Sequence, residues 1–328
     1  MPSEEVQRVA VIDLGSNSFR MVVFESTASA WRRTDELSEA VRIGEHLANG
    51  GLLGEEAIER ALRAMEAFAS LCEAYGLKDG EIDAVATSAI RDAGNGQAFL
   101  ERAYAQTGIA ARVLSREQEA RYGYLAAVNS TSLSDGCVLD LGGGSLQLVR
   151  VAGRLARESG SWRLGAMRMT ERFLADDEPA DSGRLQDLAA HVERKLERAP
   201  WLRGAGPHVV GLGGTVRNLA AAAERAAGLP AKSVHGFAIE REALDSLIER
   251  LAALRPSERG GVPGIKQARA DIVLAGAVVV QAVLRICDAP SLEVTGASLR
   301  EGIFFERSLA HQRVALDEAL ASSDARAA

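Results

Sequence analysis

The sequence predicts an α/β protein made of two related halves. Three observations predict it: a strand-loop-strand unit that occurs twice, short apolar strands that alternate with helical segments, and a length of 328 residues, more than one ordinary core supports. The first copy spans 9–24, with a strand, a turn at Asp13-Leu-Gly-Ser-Asn-Ser18, and a second strand over 19–24 rich in Val and Phe. The second spans 137–151 and reads CVLDLGGGSLQLVRV, placing Asp140, Gly142 and Ser145 where the first has Asp13, Gly15 and Ser18.

Between the copies, periodicity predicts an amphipathic helix over 55–75, a buried strand over 82–87, and helices over 96–106 and 116–128. After the second copy come a helix over 182–198, a strand-loop-helix unit from Val209 (VVGLGGTVRNLAAA), a helix over 241–254 and an apolar helix from Ala270. A short strand over 292–295 then leads through Gly296-Ala-Ser to a final helix and a polar Ala/Ser/Asp tail that reads as frayed. The stretch 129–136, NSTSLSDG, reads as the loop between the halves, and 255–267, with Pro256, Pro263 and three glycines, as a second irregular segment.

Hydrophobic residues at 47% and charged residues at 25% describe a chain that folds. The 38 Lys and Arg against 45 Asp and Glu leave a net charge of −7, which speaks against broad adhesion to nucleic acid or anionic lipid. A polyanionic substrate would therefore need a local basic cleft. Cys72, Cys137 and Cys287 stand far apart without CxxC spacing and read as buried thiols of a reducing compartment. His46, His191, His208, His235 and His311 show no metal-ligand spacing. The acidic amino terminus does not resemble a secretory signal, and the apolar stretch 272–284 is too short for a bilayer and is interrupted by Gln281. A cytoplasmic protein is expected.

A glycine loop beside an acidic strand end can aim backbone N–H groups at a phosphate while the carboxylate holds a metal ion. In the first loop the candidates are Gly15, Ser16, Asn17 and Ser18 beside Asp13; in the second, Gly142, Gly143, Gly144 and Ser145 beside Asp140. Tight β-turns use the same residues, and it is the alignment of the two copies through Asp, Gly and Ser that favours phosphate sites over ordinary turns. Neither loop leads into a helix or carries the Walker lysine, which excludes a P-loop and a Rossmann fingerprint. Facing hairpins would let Asp13 and Asp140 share one hydrated Mg²⁺, with Glu119 as a further candidate ligand.

Ser115 and Gln118 have capping-box spacing, which puts Glu119 in the first turn of its helix. There it could activate water, although spacing alone fits an acid that merely complements the helix dipole. Arg91, in VATSAIRDAGNG, follows a buried strand where its fork could clamp a phosphate, although an exposed arginine is the commoner outcome at such a place. GLGGT, with Gly213 and Gly214, and GAS at 296–298 precede helices and could bind an anion, or could serve tight packing equally well. Arg168, Arg217, Lys266, Arg269 and Arg300, taken singly, read as solvated surface.

Nine segments, VAVIDLGSNSFRMVVFE, ATSAIRDAGNG, SREQEARYGYL, VLDLGGGSLQLV, RLGAMRMTERFL, VGLGGTVRNLAA, VHGFAIERE, GIKQARADIVLAGA and TGASLREGIFF, resemble in order those of exopolyphosphatases and guanosine pentaphosphate phosphohydrolases, over 9–306. The resemblance implies the actin-like ATPase fold, two ribonuclease H-like domains around a phosphate-binding cleft. The first would span 1–130 with a returning helix over about 301–320, the second 131–300. It implies that the loops after Asp13 and Asp140 bind phosphate and Mg²⁺, that Arg91 contacts phosphate, and that Glu119 activates the attacking water. The family's usual Ser-Gly-x-Glu-Glu-Ala is here Ser-Arg-Glu-Gln-Glu-Ala, with Arg116 for the glycine and Gln118 for the first acid, so the base is carried over to Glu119 alone. The chain resembles the short form without further carboxy-terminal domains, and the resemblance alone implies a homodimer.

The favoured expectation is a Mg²⁺-dependent exopolyphosphatase. The alternatives are a guanosine pentaphosphate 5′-phosphohydrolase using the same machinery and a non-catalytic sensor of polyphosphate or alarmone. A kinase or chaperone-like ATPase of the same fold matches the segment order poorly.

Overall fold

In the computed structural model the described residues are 6–47, 51–230 and 233–308. They form two sheets with the same plan. The first is five-stranded, in the order β3-β2-β1-β4-β5, from β1 (Gln7–Leu14), β2 (Phe19–Ser26), β3 (Trp31–Glu39), β4 (Ile82–Ala86) and β5 (Ala111–Val113). The second is six-stranded, in the order β10-β11-β9-β6-β7-β8, from β6 (Gly136–Leu141), β7 (Leu146–Ala152), β8 (Leu155–Trp162), β9 (His208–Leu212), β10 (Phe237–Glu240) and β11 (Ser291–Val294). In each, an antiparallel three-strand meander is joined through its first strand to parallel neighbours. The duplication seen in the hairpins thus extends to whole sheets.

The central strands are apolar on both faces because both are covered. In β1, Ala10, Ile12 and Leu14 join one core with α1 (Glu55–Ala74) and α3 (Gly96–Thr107), while Val9 and Val11 join another. Side-chain alternation along a strand gives this division. In the second sheet, Leu139, Leu141, Leu146 and Leu148 face a core shared with α6 (Ser182–Leu196), α7 (Gly214–Ala226), α8 (Arg241–Ala252) and α9 (Val273–Ile286). Among the described residues no helix is long and apolar enough to cross a membrane.

Two helices lie between the sheets. One is α4 (Arg116–Ser130), started by the expected capping box: Ser115 Oγ accepts from Gln118 N at 3.2 Å and Gln118 Oε1 accepts from Ser115 N at 2.9 Å. Its Ala120, Ala126 and Ala127 pack on Val138, Val149 and Val210 of the second sheet, and Tyr122 packs toward the first. The other is α10, residues 299–308, whose Phe304 stacks on Phe24 with ring centroids 4.4 Å apart. The two cross at backbone distance: a Cβ on Gly302 would lie 1.9 Å from the Tyr122 carbonyl oxygen.

Several boundaries differ from expectation. Asn129 and Ser130 finish α4, so the connecting loop is shorter, and the apolar helix starts at Val273. The segment expected to be irregular contains a 3₁₀ helix, Pro256–Gly261, anchored by the buried Arg259, whose Nε donates to Leu251 O at 2.9 Å. Strands β3, β5, β8 and β10 and the helices α2 (Ser88–Asp92) and α5 (Ala166–Phe173) are additions to the sequence reading. The far part of the expected final helix, 309–320, and the polar tail lie outside the described residues.

Candidate active site

The β1–β2 and β6–β7 loops meet between the lobes, each lobe being one sheet with its helices. Gly142 N donates to Ser145 O at 3.0 Å, closing the second turn. Contact between the loops depends on glycine. A Cβ on Gly143 would lie 3.2 Å from Ser16 Cβ, and one on Gly144 would lie 2.5 Å from Ser88 Oγ. Ser16 Oγ and Ser88 Oγ share a buried hydrogen bond at 3.0 Å.

Behind this contact lies a cavity of about 110 Å³. Asp13, Gly15, Ser16, Asn17, Ser18, Glu119, Asp140, Gly142, Gly143, Ser145, Gly213 and Gly214 line it, which brings together most residues singled out from sequence. Arg91 and Gly144 stand one layer back. Arg91 pairs through Nη1 with Glu119 Oε1 and donates to Leu114 O at 2.9 Å, while the Gly144 carbonyl accepts from Arg168 Nε at 3.2 Å. For Gly213 and Gly214, the close packing read from sequence is present. They border the cavity at the α7 N-terminus, and a Cβ on Gly214 would lie 2.2 Å from Arg269 Nη2.

One expectation is corrected. Arg217, Arg269 and Arg300 are not solvated surface; with Arg20 they line the cavity, and Arg269 and Arg300 are buried. Burial, reinforced by the other arginines, lowers the Arg217 pKa to about 9, and burial lowers that of Arg269 to about 10. Such crowding costs free energy unless an anion relieves it. A signal was available: Arg217 and Arg300 sit in the first turns of helices, where the dipole disfavours cations. Lys266 is exposed as read, and Arg168 is half-buried against Asp92, 3.2 Å away.

Glu119 is buried, with 4% of its surface exposed. Burial pushes its carboxyl up to about 7, against the pull of Arg91. Asp140 is raised to about 6 by burial and then by the charge of Asp13, while Arg217 and Arg300 pull it down. Asp13 is raised by burial and pulled back chiefly by Arg300, whose Nη1 is 3.4 Å from Asp13 Oδ2. Gly123 of α4 lets Asp140 lie close, since a Cβ there would be 3.2 Å from Asp140 Oδ2.

Among the described residues, no three His, Cys, Asp or Glu side chains converge on one metal position. Asp13, Asp140 and Glu119 therefore do not form the expected trio. The reason is local: Glu119 Oε1 is engaged by Arg91 and Oε2 by Gln147 Nε2 at 2.8 Å. Asp13 and Asp140 do fit a divalent cation that keeps most of its waters, because two buried carboxylates resisting ionisation are relieved by such a charge.

Residues 7–311 match the Ppx/GppA phosphatase family. The chain belongs to that family. Within Ppx/GppA phosphatases it is similar to exopolyphosphatase 1 of Mycobacterium leprae, 30% identical over 309 residues that cover 92% of this chain and 89% of that one. Among solved structures, the Aquifex aeolicus Ppx/GppA family member is 28% identical with a TM-score of 0.77, covering 94% of this chain and 99% of that chain. An exopolyphosphatase from Cytophaga hutchinsonii shares the fold at 22% identity and a TM-score of 0.85, covering 91% and 97%. The fold is the two-domain actin-like one, and the family makes the protein a phosphatase, a hydrolase.

Proposed function

We propose that this phosphatase releases terminal orthophosphate from inorganic polyphosphate by direct attack of water. The observation that carries the reading is Glu119, a buried carboxyl with a pKa near 7, facing a small cavity walled by two glycine hairpins and four arginines. Near neutral pH such a group accepts a proton readily, as a general base must. Water between Glu119 and the terminal phosphorus gives up its proton to Glu119 as the new P–O bond forms, and the bridging P–O bond breaks toward the remaining chain. Arg20, Arg217, Arg269 and Arg300 offset the charge of the phosphoryl oxygens, and backbone N–H groups of the two loops orient them. A divalent cation held by Asp13 and Asp140 would neutralise further oxygen charge when bound.

The 5′-phosphates of guanosine pentaphosphate are the second substrate, because the glycine loops and arginines lining the cavity would grip phosphoryl groups of either compound. The test is Mg²⁺-dependent phosphate release from both compounds, by wild type and by Glu119→Gln. Wild type is expected to act on polyphosphate, and the variant to be slower by about a hundredfold or more. Release from neither compound overturns the enzymatic reading in favour of a sensor; release from guanosine pentaphosphate alone overturns the substrate.

A further inference from the structure

Gln147 lies in the second hairpin but was assigned no role from sequence, yet it contacts Glu119. It lies on β7 directly across the hairpin from Asp140, two residues beyond Ser145 and on the same face. It is 3% exposed. Its Nε2 donates to Glu119 Oε2 at 2.8 Å, and lies 2.9 Å from Ser145 Oγ and 3.3 Å from Ser161 Oγ. An ionised carboxylate only accepts hydrogen bonds, so the amide atom facing it must be the nitrogen.

The other hairpin offers a built-in comparison. There the residue across from Asp13 is Arg20, a cation. At the matching place in the second hairpin the chain has a neutral amide. Glu119 already has one cationic partner, Arg91, on Oε1. A second cation on Oε2 would hold the carboxylate ionised and weaken it as a proton acceptor, whereas an amide fixes the oxygen without adding charge. The contacts come from different lobes, Arg91 from the first and Gln147, with Ser145 Oγ at the longer 3.4 Å, from the second, so both carboxylate oxygens are tethered only while the lobes stand together.

We propose that Gln147 is the positioning residue for Glu119, fixing the orientation of its carboxylate toward the cavity from the second lobe. This rests on Glu119 being the base. Gln147→Met keeps the length of the side chain and removes the amide; Gln147→Asn keeps an amide that falls a methylene short. Both are expected to lower kcat for phosphate release about tenfold to hundredfold, the effect of a misplaced catalytic group, with KM changed less than about twofold. Combined with Glu119→Gln, Gln147→Met is expected to add no further loss, because it acts through Glu119. A rise in KM with kcat intact, or losses that multiply in the double variant, overturns the proposal. Crystal structures of wild type and Gln147→Met give the answer without turnover: Glu119 is expected to swing off its wild-type rotamer, and an unmoved carboxylate overturns the proposal. In a chain that hydrolyses nothing, Glu119 as base fails, while that structural comparison still decides the positioning role.

Discussion

Arg168 reaches from the second lobe to Asp92 of the first, with Nη2 3.2 Å from Asp92 Oδ2. Arg163 joins it at 2.9 Å, and Arg42 of the first lobe pairs with Asp271 of the second. Asp92 is thus a single shielded carboxylate on which two cations from the opposite lobe converge. Asp92→Ala is expected to loosen closure, with a larger radius of gyration by small-angle X-ray scattering and a loss of about 1–3 kcal/mol in urea unfolding. Unchanged scattering and an unchanged midpoint would show that the Asp92 ion pairs do not hold the lobes together.

Gly165 is where the second glycine loop rests on α5. A Cβ there would come within 2.4 Å of the backbone of Gly143 and Gly144, atoms that cannot rotate aside. Gly165→Ala is expected to cost about 1–3 kcal/mol and to displace the loop, lowering phosphate release along with thermal stability. Retention of both would mean that the loop gives way at little cost.

Glu119 gives a pH dependence of definite sign. Its folded pKa, about 7, lies above the ordinary carboxyl range, so the folded state favours the protonated form. Its contribution to stability is full below the unfolded pKa and is lost as pH rises through 7. In metal-free buffer, Glu119→Gln is therefore expected to gain on wild type between pH 5 and pH 8, by about 1–3 kcal/mol, read from urea midpoints at the two values. A variant whose stability relative to wild type stays constant, or falls, from pH 5 to pH 8 contradicts the raised pKa.

Phe304 fixes α10 to the first sheet through its stack on Phe24, and both side chains are fully buried. Phe304→Ala is expected to destabilise the fold by about 3–5 kcal/mol. Because Arg300 rides on the same helix, KM for the phosphate substrate should rise at temperatures where the variant is still folded. A variant that melts early yet binds as well as wild type would separate the helix's structural share from its part in the cavity.

What the sequence disclosed was local. The hairpins were legible because Asp, Gly and Ser recur at fixed offsets, and α4 because Ser115 and Gln118 announce its start. Strand β3 was not: WRRTDELSE is an edge strand whose mostly exposed side chains carry no apolar alternation, and charge there discourages pairing with other chains. The polar β8, LARESGSW, escaped notice for the same reason. Arg20, Arg217, Arg269 and Arg300 were missed as a group because their shared neighbourhood arises only when four separate segments fold together. Gln147 was hidden likewise, since its partner lies on another element.

The placement of α4 bears on how the molecule can move. Wedged between the sheets, it carries Glu119 near one end, backs Asp140 through Gly123, and meets α10 at Gly302. When two bodies swing about a shared axle, points close to the axle travel least and points at the rim travel farthest. A rotation of the lobes about α4 would leave Glu119, carried on the axle itself, nearly in place, while Arg91 and Gln147, which hold its two oxygens from opposite lobes, would travel apart.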